Sequence, residues 1–198
     1  MTPAPPIAVV LSGPNGAGKS TTAPALLQGV LGVNEFVNAD TIAGGLSAFN
    51  AEGAAIAAGR VMLGRLKKLA RERMNFAFET TLASRSFAPW LVGLKNTGYI
   101  VHLVFLWLSS EDLAVQRVAA RVEAGGHHVA TDVVRRRYRT GLRNFFELYR
   151  PLASTWRFYD ASGPEPRLIT GQLEHQALQV YDRESWERIV AARTAYED

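Results

Sequence analysis

Along the chain, two patterns of apolar and polar residues alternate. Short apolar runs rich in β-branched and aromatic residues occur at IAVVLS (7–12), EFVN (35–38), NFAFE (75–79), YIVHLVFLWL (99–108) and TWRFYD (155–160). Few polar residues interrupt them, which predicts strands buried on both faces, as in a parallel sheet. Between the runs the apolar spacing becomes helical. Residues 51–74 place Ile56, Met62, Leu63, Leu66, Leu69 and Ala70 at helical intervals, with a basic outer face. Residues 85–97 predict another helix. The segment SSEDLAVQRVAARV opens with Ser109 and Asp112 in a capping-box pattern and continues through an apolar face of Val115, Val118, Ala119 and Val122. A further helix is expected from Asp132 to Tyr149, stopping at Pro151, then a loop at GPEP, a short strand pair and a last helix.

Strands alternating with helices predict an α/β fold of three layers, with a mainly parallel five-stranded sheet and helices on both faces. Right-handed crossovers would bring the C-terminal ends of the strands to one edge. Gly13, Asp40, Glu79 and Ser109 all fall there, where open α/β sheets bind ligands.

GPNGAGKS, from Gly13 to Ser20, fits the pattern G-x-x-x-x-G-K-[ST] in full and stands between a strand and a helix. In such a loop, backbone N–H groups and the helix N-terminus point at phosphate oxygens. Gly13, Asn15, Gly16, Ala17 and Gly18, with Lys19, Ser20 and Thr21 opening the helix, are the expected nucleotide cradle. Gly16 and Gly18 allow close backbone approach, Lys19 offsets phosphate charge and Ser20 can ligate Mg²⁺. ATP and Mg²⁺ are the expected cofactors. GTPases and ATPases of this class usually hold the metal through an Asp after a later strand. Here the long strand 99–108 ends in Ser109 and Ser110, and no guanine-reading N-K-x-D stretch follows. The acids at strand ends are Asp40 and Glu79. Asp40 is open to three readings: helix cap, metal ligand or catalytic base.

Composition narrows the classes. The 198 residues suit one domain spanning 1–198, and 47% apolar with 20% charged residues is ordinary for a globular protein. The absence of cysteine excludes disulfides, thiolate metal sites and cysteine nucleophiles. No apolar run reaches membrane-spanning length, and the N-terminus lacks a secretory pattern, so a cytoplasmic location is expected. The net charge of +4 is uneven: residues 60–73 carry six Lys/Arg against Glu72, and residues 117–143 carry seven Arg against Glu123 and Asp132. The first patch lacks the interleaved aromatics of a nucleic-acid platform and reads as a solvated face. The second, with Arg117, Arg121, Arg135, Arg136 and Arg137 around a Gly125–Gly126 hinge, reads as a helical lid that brings one or two arginines to a moving phosphoryl group. Its bland alternative is a solvated helix with Asp132–Arg136 and Arg143–Glu147 pairs. His127 and His128 suit an exposed or hinge role.

With these parts in place, the chain resembles the zeta toxin family of phosphate-loop kinases, in its compact single-domain bacterial branch. The matching stretches are LSGPNGAGKST, VNAD, FAFETTL, HLVFLWL, RVEAGGHHV followed by RRRY, and YDASG, in order over roughly residues 7–163. The resemblance implies a fold like that of nucleotide and shikimate-type kinases. It implies phosphorylation of a sugar hydroxyl of UDP-N-acetylglucosamine from ATP, toxicity through loss of cell-wall precursors, and an antitoxin protein as partner. It assigns Asp40 as the base, Asn38 as a substrate contact, and Glu79 and Thr80 to the sugar site. Lys19 and Ser20 would handle phosphates and Mg²⁺, and Arg121, Arg136 and Arg137 would be the lid arginines at the γ-phosphate.

Overall fold

The structure is a computed structural model that describes residues 4–47, 53–126, 128–174 and 176–194. His127 lies outside the described residues. Seven strands form one sheet in the order β2-β3-β1-β4-β5-β6-β7. The strands are β1 (Ile7–Ser12), β2 (Glu35–Val37), β3 (Phe76–Thr80), β4 (Ile100–Trp107), β5 (Thr155–Asp160), β6 (Arg167–Gln172) and β7 (Gln179–Val180). The first five pair in parallel. The expected sheet of five strands is thus corrected to a mixed sheet of seven, because β6 and β7 extend it antiparallel from β5.

Burial explains the uninterrupted apolar runs. Ala8, Val9, Val10 and Leu11 have no exposed surface, nor do Phe76, Ala77 and Phe78, so both faces of the central strands are covered. The helices are α1 (Lys19–Pro24, continued by a π-helical turn, Ala25–Val30), α2 (Ala39–Leu46), α3 (Ala55–Arg71), α4 (Phe87–Asn96), α5 (Glu111–Glu123), α6 (Thr131–Asn144), α7 (Arg150–Leu152) and α8 (Arg183–Thr194). A π-helical turn, Phe145–Tyr149, joins α6 to α7. Phe105, Phe145 and Phe158 meet at ring distances of 4.9–5.1 Å, and Trp186 of α8 closes over this cluster at 5.8 Å from Phe158.

Three helical expectations need correction. On α3 the buried stripe is Ala58, Met62, Leu66 and Leu69, while Ile56 and Leu63 fall outside it and are exposed. The cap of α5 is Ser110, whose hydroxyl accepts from Leu113 N at 3.0 Å; Ser109 instead donates its backbone N–H to the Ser162 hydroxyl. The α5 face that enters the core is Ala114 and Val118, and Ala119 is exposed. The helical stretch ends as expected at Pro151, with Leu152 its last residue and Ala153 already extended.

The arginine segment folds as α5 and α6 packed together. Gly125, at φ 85°, ends α5, with Gly126 N donating to Arg121 O. Among the described residues, neither the Asp132–Arg136 nor the Arg143–Glu147 pair forms. The pairing runs between helices: Arg135 meets Asp112 at 2.6 Å, and Arg139 makes a two-pronged contact with Glu111 at 2.6 and 2.9 Å.

Candidate active site

The strand β1 ends at Ser12, and the chain turns through Gly13 (φ 142°), Gly16 (φ 82°) and Gly18 (φ 75°) into α1. A side chain at Gly13 would overlap the Leu106 carbonyl of β4, so glycine is required for this turn to pass the neighbouring strand. A Cβ at Gly18 would meet nothing within 4 Å, so the loop faces open space at that point. Ala17 is buried and its N–H closes the turn on Pro14 O, whereas Thr21 is exposed on the first turn of α1.

Lys19 is only 6% exposed, yet it points back over the loop. Its Nζ donates to Gly13 O and Pro14 O, both at 3.0 Å, and lies 3.5 Å from Glu79 Oε1. Burial pushes its pKa down. Glu79 and Asp40 pull it up, and the nearby Arg121 charge adds to the lowering.

A single acid organises the floor. Glu79 Oε2, at the end of β3, accepts from Ser20 Oγ at 2.7 Å and from Asn38 Nδ2 at 2.8 Å. Asn38 also caps α2: its Oδ1 accepts from Asp40 N at 2.7 Å and Thr41 N at 3.3 Å. The cap is therefore Asn38, and the Asp40 carboxylate in the first turn is not needed for that purpose.

These groups surround one cleft of about 400 Å³. Asn15, Lys19, Asn38, Asp40 and Glu79 line it together with Arg136 and Arg137 of α6. Thr80, Thr81, Ala83 and Ser84, in the loop after β3, complete the wall. Arg137 Nη1 reaches Asn15 Oδ1 at 3.5 Å. Arg121 does not line this cleft, although its charge is felt at Lys19.

Arg117 does not line the cleft either. Its guanidinium donates to Ala161 O and Ser162 O at 2.7 and 2.6 Å, tying α5 to the loop after β5. Several polar contacts had no local sequence signal: this clamp, the Ser20–Glu79 pair, and the bonds that α6 and the turn after it make to loop carbonyls. Tyr138 donates to Leu108 O, Asn144 to Leu82 O, and Tyr149 to Ser84 O. Burial pushes the Tyr149 hydroxyl up to about 12, so it remains a donor.

Among the described residues there is no cluster of three or more His, Cys, Asp or Glu that could hold a metal, and no helix is long and apolar enough to cross a membrane. The sheet order and the loop at its carboxyl edge define an α/β protein of the P-loop kinase-like fold. The chain belongs to the AAA_33 family, described as an AAA domain, whose model matches residues 9–148. An uncharacterized protein of Haemophilus influenzae is 32% identical over 131 residues, 66% of this chain and 91% of that one. A chain of the AvrRxo1-ORF1:AvrRxo1-ORF2 complex with sulphate ions has a TM-score of 0.74 over 93% of this chain, at 17% identity. The present chain spans 63% of that chain's length, and the same complex is also known with ATP. A chain of the PezAT chromosomal toxin–antitoxin system of Streptococcus pneumoniae has a TM-score of 0.62 at 16% identity, over 100% of this chain and 90% of that one.

Proposed function

We propose that this chain is an ATP-dependent phosphotransferase acting on an alcohol, with residues 1–198 working as one catalytic domain. The observation that carries this reading is Asp40, a carboxylate relieved of capping and facing the same cleft as Lys19, Arg136 and Arg137. ATP as donor is supported by the complete phosphate loop and by the fold neighbour crystallised with ATP.

In the transfer, the acceptor oxygen bonds to the γ-phosphorus while the bond from that phosphorus to the β–γ bridging oxygen breaks and ADP leaves. Asp40 holds the hydroxyl and takes its proton. Lys19 exchanges the Gly13 and Pro14 carbonyls for phosphate oxygens. Arg136 and Arg137 meet the charge spread over the moving group, with Arg121 adding positive potential behind Lys19. Ser20 and Glu79 fit Mg²⁺, which usually takes one or two protein carboxylates and fills its other positions with phosphate oxygens and water. When bound, the ion would withdraw charge from the β- and γ-phosphate oxygens. Asn38 would hold Glu79 in place while its own cap fixes the start of α2.

The acceptor in this reading is a sugar hydroxyl of UDP-N-acetylglucosamine, seated against Asn38, Glu79 and Thr80. The chain would be a zeta-type toxin of the cytoplasm, with an antitoxin protein as partner. The motif set VNAD, FAFETTL and RRRY supports this, as does the fold likeness to a chain of a toxin–antitoxin system. Incubation with Mg-ATP and UDP-N-acetylglucosamine is expected to give a product one phosphoryl group heavier by mass spectrometry. A phosphorylated alcohol found only in a metabolite extract would replace that acceptor. No phosphorylated product from either source rejects the phosphotransferase reading.

A further inference from the structure

The loop after β3 is held in a conformation that it would not adopt alone. Leu82 has φ 58°, in the left-handed region that costs a branched residue about 1 kcal/mol or more. Its N–H is taken by Thr80 Oγ1 at 3.1 Å, and its side chain has no exposed surface. The remaining restraints come from α6 and the π-helical turn after it. Asn144, itself 3% exposed, donates Nδ2 to Leu82 O at 2.7 Å. Tyr149 donates to Ser84 O. Gly141 lies so close to the Thr81 carbonyl that a side chain there would overlap it. Midway along α6 stand Arg136 and Arg137, followed at once by Tyr138, which donates to Leu108 O at 2.7 Å. Val134, Leu142, Phe145 and Phe146 sink the same stretch into the core.

We infer that α6 is a fixed arm that sets the cleft loop 80–84 and the phosphate-facing arginines in one frame, with Asn144 and Tyr149 as positioning residues for the acceptor. The inference rests on the phosphotransferase reading and deepens it. Arg137 and Asn144 are seven residues apart on one helix, about 10 Å along its axis, so the two walls cannot shift independently without bending it. Both positioning residues act on backbone carbonyls, and neither touches the reacting atoms.

The test compares Asn144→Leu with Tyr149→Phe, which removes only a hydroxyl and keeps the core filled. Three readings are taken: hydrogen exchange, affinity for a non-hydrolysable ATP analogue, and steady-state kinetics with UDP-N-acetylglucosamine. Amides of residues 82–84 are expected to exchange at least about tenfold faster in Asn144→Leu, and by a smaller factor in Tyr149→Phe. Affinity for the analogue should stay within about twofold, while acceptor KM rises at least about fivefold with kcat changed less, the size of one ordinary hydrogen bond. In the unmodified chain, amides of 131–149 should exchange equally slowly with and without the analogue. Unchanged exchange at 82–84 in both variants, an ATP affinity that falls in step with the acceptor's, or new protection of 131–149 on adding the analogue overturns the inference. If the unmodified protein leaves UDP-N-acetylglucosamine untouched, that acceptor is rejected, and the exchange and ATP measurements alone decide on the arm.

Discussion

Asp40 and Asn38 are neighbours in sequence terms and both are good caps, so which one ends the strand and starts the helix could not be read from residue type. The backbone decides it. Asn38 is extended at φ −128°, ψ 124°, and takes the two amides, which leaves Asp40 without that task. Asp40→Asn is therefore expected to keep its melting temperature and ATP affinity while turnover falls by about 10²–10⁴-fold, the usual cost of losing a general base. Calorimetry alongside phosphoryl-transfer assays checks both halves. The lysine titrates in a way that a sequence does not reveal, because burial lowers its pKa against the opposing pull of Glu79 and Asp40. Below the lowered value both folded and unfolded chains hold the proton, and the cost of burying the charge counts fully against the fold. As pH rises from that value towards 10.5 the folded chain releases it first, and the cost is relieved. Phosphate beside Lys19 restores the charged form, so ATP binding in that pH window should take up protons. Titrations in buffers of different ionisation enthalpy would show this uptake, and Lys19→Met should abolish it.

At the level of elements, the strand–loop–helix unit that holds the phosphate cradle was fully legible, because every residue it needs is contiguous from Ile7 to Ser20. The acid beside Ser20 was harder. Glu79 is 59 residues away, and only the parallel pairing of β1 with β3, with Leu11 opposite Glu79, brings the two together. The arginine segment was legible as a basic stretch but not as a division of labour. Arg135 and Arg139 serve α5–α6 pairing, Arg117 clamps a loop, and Arg136 and Arg137 face the cleft. Helix starts were off by one residue where two serines adjoin. Ser110→Ala is expected to cost about 1 kcal/mol through loss of the α5 cap, whereas Ser109→Ala should leave α5 intact, since Ser109 contributes a backbone N–H that alanine also has. Chemical denaturation of the two variants, side by side, separates these outcomes.

For the whole molecule, sequence texture gave the five parallel strands but not their union with β6 and β7. Antiparallel edge pairing depends on non-local register, and the bulge between Phe158 and Tyr159 that sets it has no composition of its own. The sheet that results has short rims. One side ends in β2, three residues long, where Glu35 is paired with Arg65 of α3 at 2.7 Å. The other ends in β7, two residues long. Strand addition needs several consecutive unpaired amides and carbonyls in line, and charge at an edge discourages it. Among the described residues, then, neither terminal strand offers a long template for a passing chain. A protein partner would then read this molecule mainly through side chains and surface shape, so its specificity would be written in residues that can change without disturbing the sheet.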